Sequence, residues 1–180
     1  WGYIPKKTDK AQLVDSQLEA LETLDELVQT GKIRSWGLSN DTAWGMCTLC
    51  QLADQHNMPK PVSLQNEYSL LRRRDDLNIS EVCMIEQMCY LPWSPLAMGV
   101  LSGKYLEGSS VSNSRLTLDE TSKKRYGYRL TENVQKATRA YVELARAHNL
   151  DPCQMAIAFC LARPFVTSPI IGASSVDQLK

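Results

Sequence analysis

A turn of small and hydroxyl-bearing residues near the end of the chain could hold a phosphate group. Gly172-Ala173-Ser174-Ser175 lies between a short apolar run and the start of a predicted helix. Small residues let the backbone approach a ligand closely, and the free amides and dipole of a helix N-terminus favour an anion. An ordinary capping turn has the same composition, so the residues alone leave both interpretations open.

A second glycine-rich stretch, Gly99-Val100-Leu101-Ser102-Gly103-Lys104-Tyr105, is similar to a nucleoside-triphosphate loop but departs from it. That loop has four residues between its glycines and Ser or Thr after the lysine. Here three residues separate the glycines, and Tyr105 follows Lys104. A Gly-x-Gly-x-x-Gly fingerprint is also missing from the chain. Any dinucleotide would therefore bind by another architecture.

Several side chains lie at or just past the carboxyl ends of predicted strands: Ser39, Asn40, Gln65 and Trp93, with the aromatic Tyr68 three residues after Gln65. In a barrel, the carboxyl ends of the strands converge on the active face. Amide and hydroxyl groups from several strand ends could hold one ligand, and an aromatic side chain could stack on a ring of it. Each residue alone is explained as a loop or core residue, and only their shared position at strand ends indicates a site.

Six cysteines are present, and we interpret them as reduced thiols of a cytosol-like compartment. Cys47 and Cys50 form a Cys-x-x-Cys pair, but a zinc site needs a second pair or suitably spaced histidines. The chain has only His56 and His148. We therefore predict ordinary half-buried cysteines and rank a thiol or metal protein last among the alternatives.

The composition is that of a globular protein with no global charge preference. The 180 residues are 43% hydrophobic and 22% charged, with 20 basic and 20 acidic side chains. This balance excludes disorder and gives no general attraction to nucleic acid or to a membrane surface. No apolar run of about eighteen residues and no secretory leader is visible. We expect a cytoplasmic protein. Because the chain opens on Trp1, we expect a processed chain or a fragment.

Helices and strands alternate along the sequence. We predict helices over 16–30, from a cap at 40–42 to 56, and over 79–88, 132–148 and 152–163, and strands over 33–38, 62–65, 89–93 and 170–171. A Ser16–Glu19 capping box begins the first helix, and the charge run 72–76 is predicted to be a solvated loop. A connection over 94–130 is long enough to be functional or mobile. Such alternation predicts a parallel sheet with covering helices, either a small open sheet or part of a barrel.

Four stretches together resemble the aldo/keto reductase superfamily. In chain order they are Gly31 to Asn40, Gln65 to Leu70, Trp93 to Tyr105, and Ile170 to Ser175 with Gln178. They are similar to that family's signatures at strands five, six, seven and eight. The most similar branch holds potassium-channel β subunits and Tas-like reductases. The resemblance implies an α/β fold, a partial (β/α)8 barrel of about strands five to eight, with residues 1–180 as its carboxyl-terminal portion and 94–130 as a loop on the cofactor side.

The resemblance also implies a site for NADP(H) bound in an extended pose. Its nicotinamide carboxamide would contact Ser39, Asn40 and Gln65, and its nicotinamide ring would stack on Tyr68 or Trp93. Its pyrophosphate would be lined by Ser94, Pro95, Leu96, Ala97, Met98 and Lys104. Its adenosine phosphate would meet Arg115, and its adenosine end would contact Gly172, Ser174 and Gln178.

The implied function is NADP(H)-dependent reduction of aldehydes or ketones by hydride transfer. The family's catalytic Asp, Tyr, Lys and His precede the portion matched here, so we assign no catalytic residue and expect the isolated chain to be inactive. The alternative is a non-catalytic NADP(H)-sensing or interaction protein that resembles a channel β subunit. We expect a small carbonyl substrate for the intact enzyme. A half barrel exposes sheet edges and an apolar face, which predicts association with the missing half or with itself.

Overall fold

The computed structural model describes residues 9–106, 130–173 and 175–176. Three residues of the implied site lie outside the described residues: Arg115, Ser174 and Gln178. The chain divides into two compact units, which comprise residues 1–66 with 74–91 and residues 67–73 with 92–180. We call them the first unit and the second unit and describe each by itself.

From residue 9 onward, the first unit contains the α-helices α1 (Lys10–Gln29), α2 (Ala43–His56) and α3 (Asn78–Ile85), and a 3-10 turn at Arg74–Asp76. The predicted start of α1 at Ser16 is wrong, because Asp9 caps the helix by accepting from the amides of Ala11 and Gln12. Its predicted end is confirmed: Gly31 has φ +72°, the left-handed conformation expected after a helix. Thr42 caps α2 through the amide of Gly45, as predicted.

A parallel sheet forms the middle of the first unit. Its strands are β1 (Leu38–Ser39), β2 (Ser63–Gln65) and β3 (Cys89–Tyr90), in the order β1-β2-β3. The predicted strand over 33–38 is wrong at its start, because residues 33–37 lie outside β1. Trp36 packs instead into an apolar core with α1 and α2, made of Leu21, Trp36, Leu49, Leu52 and Ala53.

Among its described residues, the second unit contains a 3-10 segment at Ala97–Ser102 and the helices α4 (Glu132–Ala147) and α5 (Pro152–Leu161). The predicted connection over 94–130 therefore holds ordered structure at its start. One apolar cluster of the second unit contains Ala97, Val100, Leu101, Tyr105 and Ala156. Asp151 caps α5 and Pro152 occupies its first turn, as predicted, because Pro lacks only an amide that has no helical partner there.

Three extended segments of the second unit run in parallel. Trp93 forms an isolated bridge with Glu67 on one side and with Ile170 on the other. The predicted strand at 170–171 is therefore present as one bridge residue rather than as a ladder. The expected α/β class with a parallel sheet is confirmed, and the assignment to strands five to eight of a barrel stays a prediction. No helix within the described ranges has the length and apolarity needed to cross a membrane.

Candidate functional site

Ser39, Asn40 and Gln65 meet at the carboxyl end of the sheet in the first unit. Ser39 pairs with Gln65 in the β1–β2 register, and the Asn40 amide donates to the Gln65 carbonyl over 3.0 Å. Asn40 Nδ2 also donates to Ser39 Oγ over 3.0 Å. All three side chains are exposed. The structure thus brings these three predicted residues together as one polar cluster, which we call the strand-end cluster.

The turn after β1 fixes the shape of this cluster. Asn40 has φ +56°, in the left-handed region that Asn tolerates better than most residues. Next to it, Asp41 Oδ1 accepts from the Thr42 amide over 2.7 Å, and a Cβ on Gly45 would clash with that oxygen. Burial raises the pKa of the Asp41 carboxyl, and the Thr42 amide opposes that change. The carboxylate therefore lies in a partly desolvated turn directly beside the strand-end cluster.

The two aromatic residues implied for ring stacking have different environments in the second unit. Tyr68 is fully buried, and its ring contacts the rings of Phe159 and Phe165 at centroid distances of 6.0 and 5.5 Å. Trp93 is partly exposed. The Tyr68 ring serves the core of this unit, which leaves Trp93 as the aromatic side chain of the pair with surface open to a ligand.

Trp93 also lies centrally among the parallel segments of the second unit. The Tyr68 amide donates to the Trp93 carbonyl over 3.3 Å, and the Ile170 amide donates to the Pro92 carbonyl over 2.7 Å. Parallel strands end on the same side of a sheet. The segment that follows Trp93 and the turn at Gly172 therefore begin side by side, as a shared ligand site requires.

The backbone after Trp93 adopts an unusual conformation. Positive φ angles occur at Ser94 (+55°), Ala97 (+49°), Met98 (+59°) and Gly99 (+91°). For residues with a Cβ, such angles cost on the order of 1–3 kcal/mol each and are concentrated at ligand sites. Leu96 followed by Ala97 is a right-handed residue before a left-handed one, a combination that can form an anion-binding concavity, and Met98 and Gly99 remain left-handed. The amides of Ala97 and Gly99 bond to carbonyls within the loop, which holds this shape.

Lys104 folds back over the same loop. A Cβ built on Gly99 would lie 2.9 Å from Lys104 Cε and 3.0 Å from its Nζ, so the missing side chain at Gly99 makes room for the lysine. The ammonium lies 5.2 Å from the centroid of the Tyr105 ring. Ser102 Oγ donates to the Gly99 carbonyl over 2.7 Å and fixes the turn between them. A cation is thereby placed against a loop whose backbone suits an anion.

The remaining predicted residues of the second unit differ in exposure. Pro95 and Ala97 are buried, whereas Ser94, Leu96 and Met98 are half-buried along the loop. Gly172 is exposed, and a Cβ built on it would meet nothing within 4 Å. The turn at Gly172 therefore offers open backbone surface next to the Trp93 segment.

The charge run 72–76 is exposed at Arg73 and Arg74, as predicted for a solvated loop, but two of its side chains also make specific contacts. Asp75 accepts hydrogen bonds from Asn66 and Tyr90 in the first unit. In the second unit, the Arg73 guanidinium lies 4.8 Å from the centroid of the Phe159 ring. Sequence reasoning missed these roles because the partners are distant in the chain, and no local pattern marks them.

The Cys-x-x-Cys pair has the environment of ordinary thiols. All six cysteines are free; Cys47 is exposed and Cys50 is buried. Desolvation, with Glu86 as the next cause, raises the pKa of Cys50 to about 11, which disfavours the thiolate that redox chemistry and metal binding require. Within the part of the chain that the structure describes, no group of three His, Cys, Asp or Glu side chains could hold a metal ion.

The sequence of the chain is similar to those of several known proteins. The chain is 44% identical over 173 residues to "Protein tas" of Escherichia coli (strain K12), covering 96% of this chain and 49% of that protein. It is 36% identical over 172 residues to an "Aldo-keto reductase" of Babesia bovis, covering 93% and 58%. It is 28% identical over 166 residues to a "Putative voltage-gated potassium channel subunit beta" of Schizosaccharomyces pombe, covering 89% and 47%.

The chain thus spans about half the length of the curated relatives it matches. The family model described as "Aldo/keto reductase family" matches residues 4–180, nearly the whole chain. All four of the motif stretches on which the resemblance rested lie within that match. The chain belongs to the aldo/keto reductase family.

Proposed function

We propose that this chain binds NADP(H) for a reductase that transfers hydride to an aldehyde or a ketone. The observation that carries the proposal is the parallel pairing of Trp93 with Ile170, which starts the loop at 94–99 and the turn at Gly172 side by side. A dinucleotide in an extended pose needs a phosphate site and an adenosine site on neighbouring backbone segments, and these two segments are proposed to supply them.

The pyrophosphate is proposed to lie on the loop at 94–99. That loop has the positive φ angles of an anion-binding backbone, and Lys104 places its ammonium against it. Lysine binds phosphate as a point charge, and therefore needs proximity more than a fixed fork geometry. Ser94, Pro95, Leu96, Ala97 and Met98 are proposed to shape the loop around the ligand.

The nicotinamide is proposed to use two kinds of contact. A primary carboxamide both donates and accepts hydrogen bonds, and the strand-end cluster of Ser39, Asn40 and Gln65 offers both functions. Trp93 is proposed to stack on the nicotinamide ring, because its side chain is partly exposed whereas Tyr68 is fully buried.

The adenosine end is proposed to lie at the turn that contains Gly172. The open surface at this glycine would allow the backbone to approach the ligand. Arg115, Ser174 and Gln178 are proposed from the family resemblance as further contacts at this end, and they lie outside the described residues.

The bound cofactor would supply the hydride. The residues of this chain would bind the cofactor, orient it and shield it from water. The proton that a reduced carbonyl oxygen requires is assigned to no residue of this chain. General acid catalysis contributes on the order of 10²–10⁴-fold. We therefore expect the 180-residue chain alone to bind cofactor without efficient carbonyl reduction.

A second candidate function is NADP(H) sensing without turnover. It is favoured by the 28% identity to a fungal protein that is named as a putative potassium channel subunit. The same cofactor contacts would then serve to stabilise one conformation for a partner protein. Both candidates predict NADPH binding, so binding does not separate them. Carbonyl-dependent turnover does.

The test is calorimetric titration of the full-length protein with NADPH and with NADH, followed by an assay with a panel of aldehydes and ketones. Micromolar binding of NADPH together with carbonyl-dependent oxidation supports the reductase. Binding without oxidation of NADPH by any carbonyl supports the sensor. The absence of NADPH binding at millimolar cofactor would contradict both.

A further inference from the structure

The half-buried Asp75 carboxylate lies at the centre of a hydrogen-bond network in the first unit. Asn66 Nδ2 donates to Asp75 Oδ2 over 2.8 Å, and the Tyr90 hydroxyl donates to the same oxygen over 2.7 Å. Asn66 is 7% exposed and Tyr90 is fully buried. Hydrogen bonds to a charged acceptor are stronger than neutral ones, particularly where water is excluded. One carboxylate therefore holds two side chains from different elements.

Asn66 connects this network to the strand-end cluster. It follows Gln65 directly, and its Nδ2 also donates to the Asp41 carbonyl over 3.4 Å. Asp41 in turn follows Asn40. Both neighbours of the amide nitrogen are acceptors, so the amide orientation is fixed, since the reverse orientation would place two oxygens against its Oδ1. The Asn66 side chain thus ties the end of β2 to the turn after β1.

One atom of the Asn66 side chain has no partner in this arrangement. Asn66 Oδ1 is buried and has no hydrogen-bond partner within the described part of the chain. A buried acceptor without a donor lowers stability, and this loss offsets part of the gain from the bond to the Asp75 carboxylate. The network defines the relative position of two backbone segments, one ending in Asn40 and the other in Gln65.

We propose that Asp75 is a positioning residue for the nicotinamide carboxamide: through Asn66 it holds Gln65 and Asn40 in the arrangement that the carboxamide requires. The inference rests on the proposed function. Asp75 itself contacts no substrate or cofactor in this account. Its loss should weaken the contribution of the nicotinamide to binding and leave the remainder of the cofactor unaffected.

The experiment compares two ligands on the full-length protein. NADPH carries the nicotinamide, and 2′-phosphoadenosine diphosphate ribose lacks it. The dissociation constant of 2′-phosphoadenosine diphosphate ribose divided by that of NADPH reports the nicotinamide contribution alone. For Asp75→Ala we expect this ratio to fall about tenfold, the size of one lost charge-assisted interaction. Asp75→Asn retains an acceptor oxygen at the same place and should recover part of the ratio.

Two further variants separate positioning from folding. Tyr90→Phe removes the other donor to Asp75 and should lower the melting temperature while leaving the ratio unchanged. Glu81→Gln changes an exposed carboxylate on α3 and should alter neither quantity.

The inference is overturned if Asp75→Ala weakens both ligands equally, or if Tyr90→Phe lowers the ratio as much as Asp75→Ala does. A wild-type protein that binds neither ligand would instead contradict the proposed function, so the two failures are distinguishable.

Discussion

Trp93 and Ile170 pair in parallel register, with the Ile170 amide donating to the Pro92 carbonyl over 2.7 Å. These residues are distant in the chain, yet each immediately precedes a segment with a backbone suited to a ligand. After Trp93 comes a loop with left-handed residues at Ser94, Ala97 and Met98. After Ile170 comes the open turn at Gly172. The pairing brings both segments to one side of the second unit.

Trp93 is predicted to stack on the nicotinamide ring. Trp93→Ala should weaken NADPH binding by about 0.5–1.5 kcal/mol, the value of an aromatic pair. Trp93→Phe should restore most of the affinity, because a phenyl ring retains the stacking surface. Trp44→Phe serves as the control, since Trp44 is 45% exposed on α2 and has no proposed contact. NADPH affinity is measured by calorimetry. An unchanged affinity in Trp93→Ala would show that Trp93 does not stack on the nicotinamide ring.

Gly99→Ala should destabilise the fold and weaken binding together. Its φ of +91° costs an alanine about 1–2 kcal/mol, and the new Cβ would displace Lys104. Gly172→Ala is the matched comparison, because its Cβ meets no atom within 4 Å and its φ is not left-handed. The free energy of unfolding of that variant should lie within about 0.5 kcal/mol of the wild-type value. Chemical denaturation measures both values, and equal losses of stability would refute this assignment of roles.

Lys104→Met should reduce the affinity for NADPH and flatten its dependence on salt. An ammonium near a pyrophosphate acts through charge, and about 0.1 M salt screens exposed charges beyond roughly 10 Å. Lys136→Met is a matched control on α4, where the lysine pairs with Glu132 one helical turn away. Titrations between low and high ionic strength measure the slope. A slope for Lys104→Met as steep as that of wild type would exclude a phosphate contact.

Asp41→Asn should stabilise the protein at neutral pH. Burial raises the pKa of the Asp41 carboxyl above its ordinary value of 3.8, so the folded state binds the proton more tightly than the unfolded state. The stabilisation from this tighter proton binding is fully present below the pKa that Asp41 has in the unfolded chain. It is lost as the pH rises through the pKa that Asp41 has in the folded protein.

The amide side chain of the Asp41→Asn variant would carry no charge and would keep an acceptor for the Thr42 amide. The stability gain of the variant over wild type should therefore be present at pH 7 and shrink as the pH falls toward 4, as followed by thermal unfolding. Glu22→Gln, which changes an exposed carboxylate on α1, is the control for the substitution itself. A gain that grows toward low pH would have the wrong sign for a desolvated carboxylate.

Alkylation should separate the cysteines by burial. Cys47 and Cys89 are exposed and should react with iodoacetamide at pH 8. Cys50 and Cys83 should remain unmodified in the folded protein, because both are buried and burial raises their pKa to about 11 and about 12. Peptide mass spectrometry identifies the modified sites. Rapid modification of Cys50 at this pH would instead support a reactive Cys-x-x-Cys pair at Cys47 and Cys50.

Local chemistry made several elements predictable from the sequence. The left-handed Gly31 after α1, the Thr42 cap of α2, and the Asp151-Pro152 start of α5 each depend on residues within one helical turn. The same locality misled the prediction for α1. Ser16 and Glu19 form a valid capping pattern, but Asp9 caps the helix further upstream, and a helix continues through an internal serine at small cost.

The site was predictable only in part, because its geometry depends on contacts between distant residues. Strand ends predicted that Ser39, Asn40 and Gln65 would meet, since parallel strands place their carboxyl ends together. The role of Asp75 was not predictable, because its partners Asn66 and Tyr90 lie 9 and 15 residues away in a fold-dependent arrangement. The burial of Tyr68 depends likewise on Phe159 and Phe165, which are brought to it by α5 and the chain after it.

The most direct test of the account is a crystal structure of the full-length protein with NADP+. We expect density for one cofactor molecule whose pyrophosphate lies within hydrogen-bond distance of the loop at 94–99 and near Lys104 Nζ. We expect its adenosine end against the turn at Gly172. A bound NADP+ that touches only one of these two segments, or neither, would contradict the central claim.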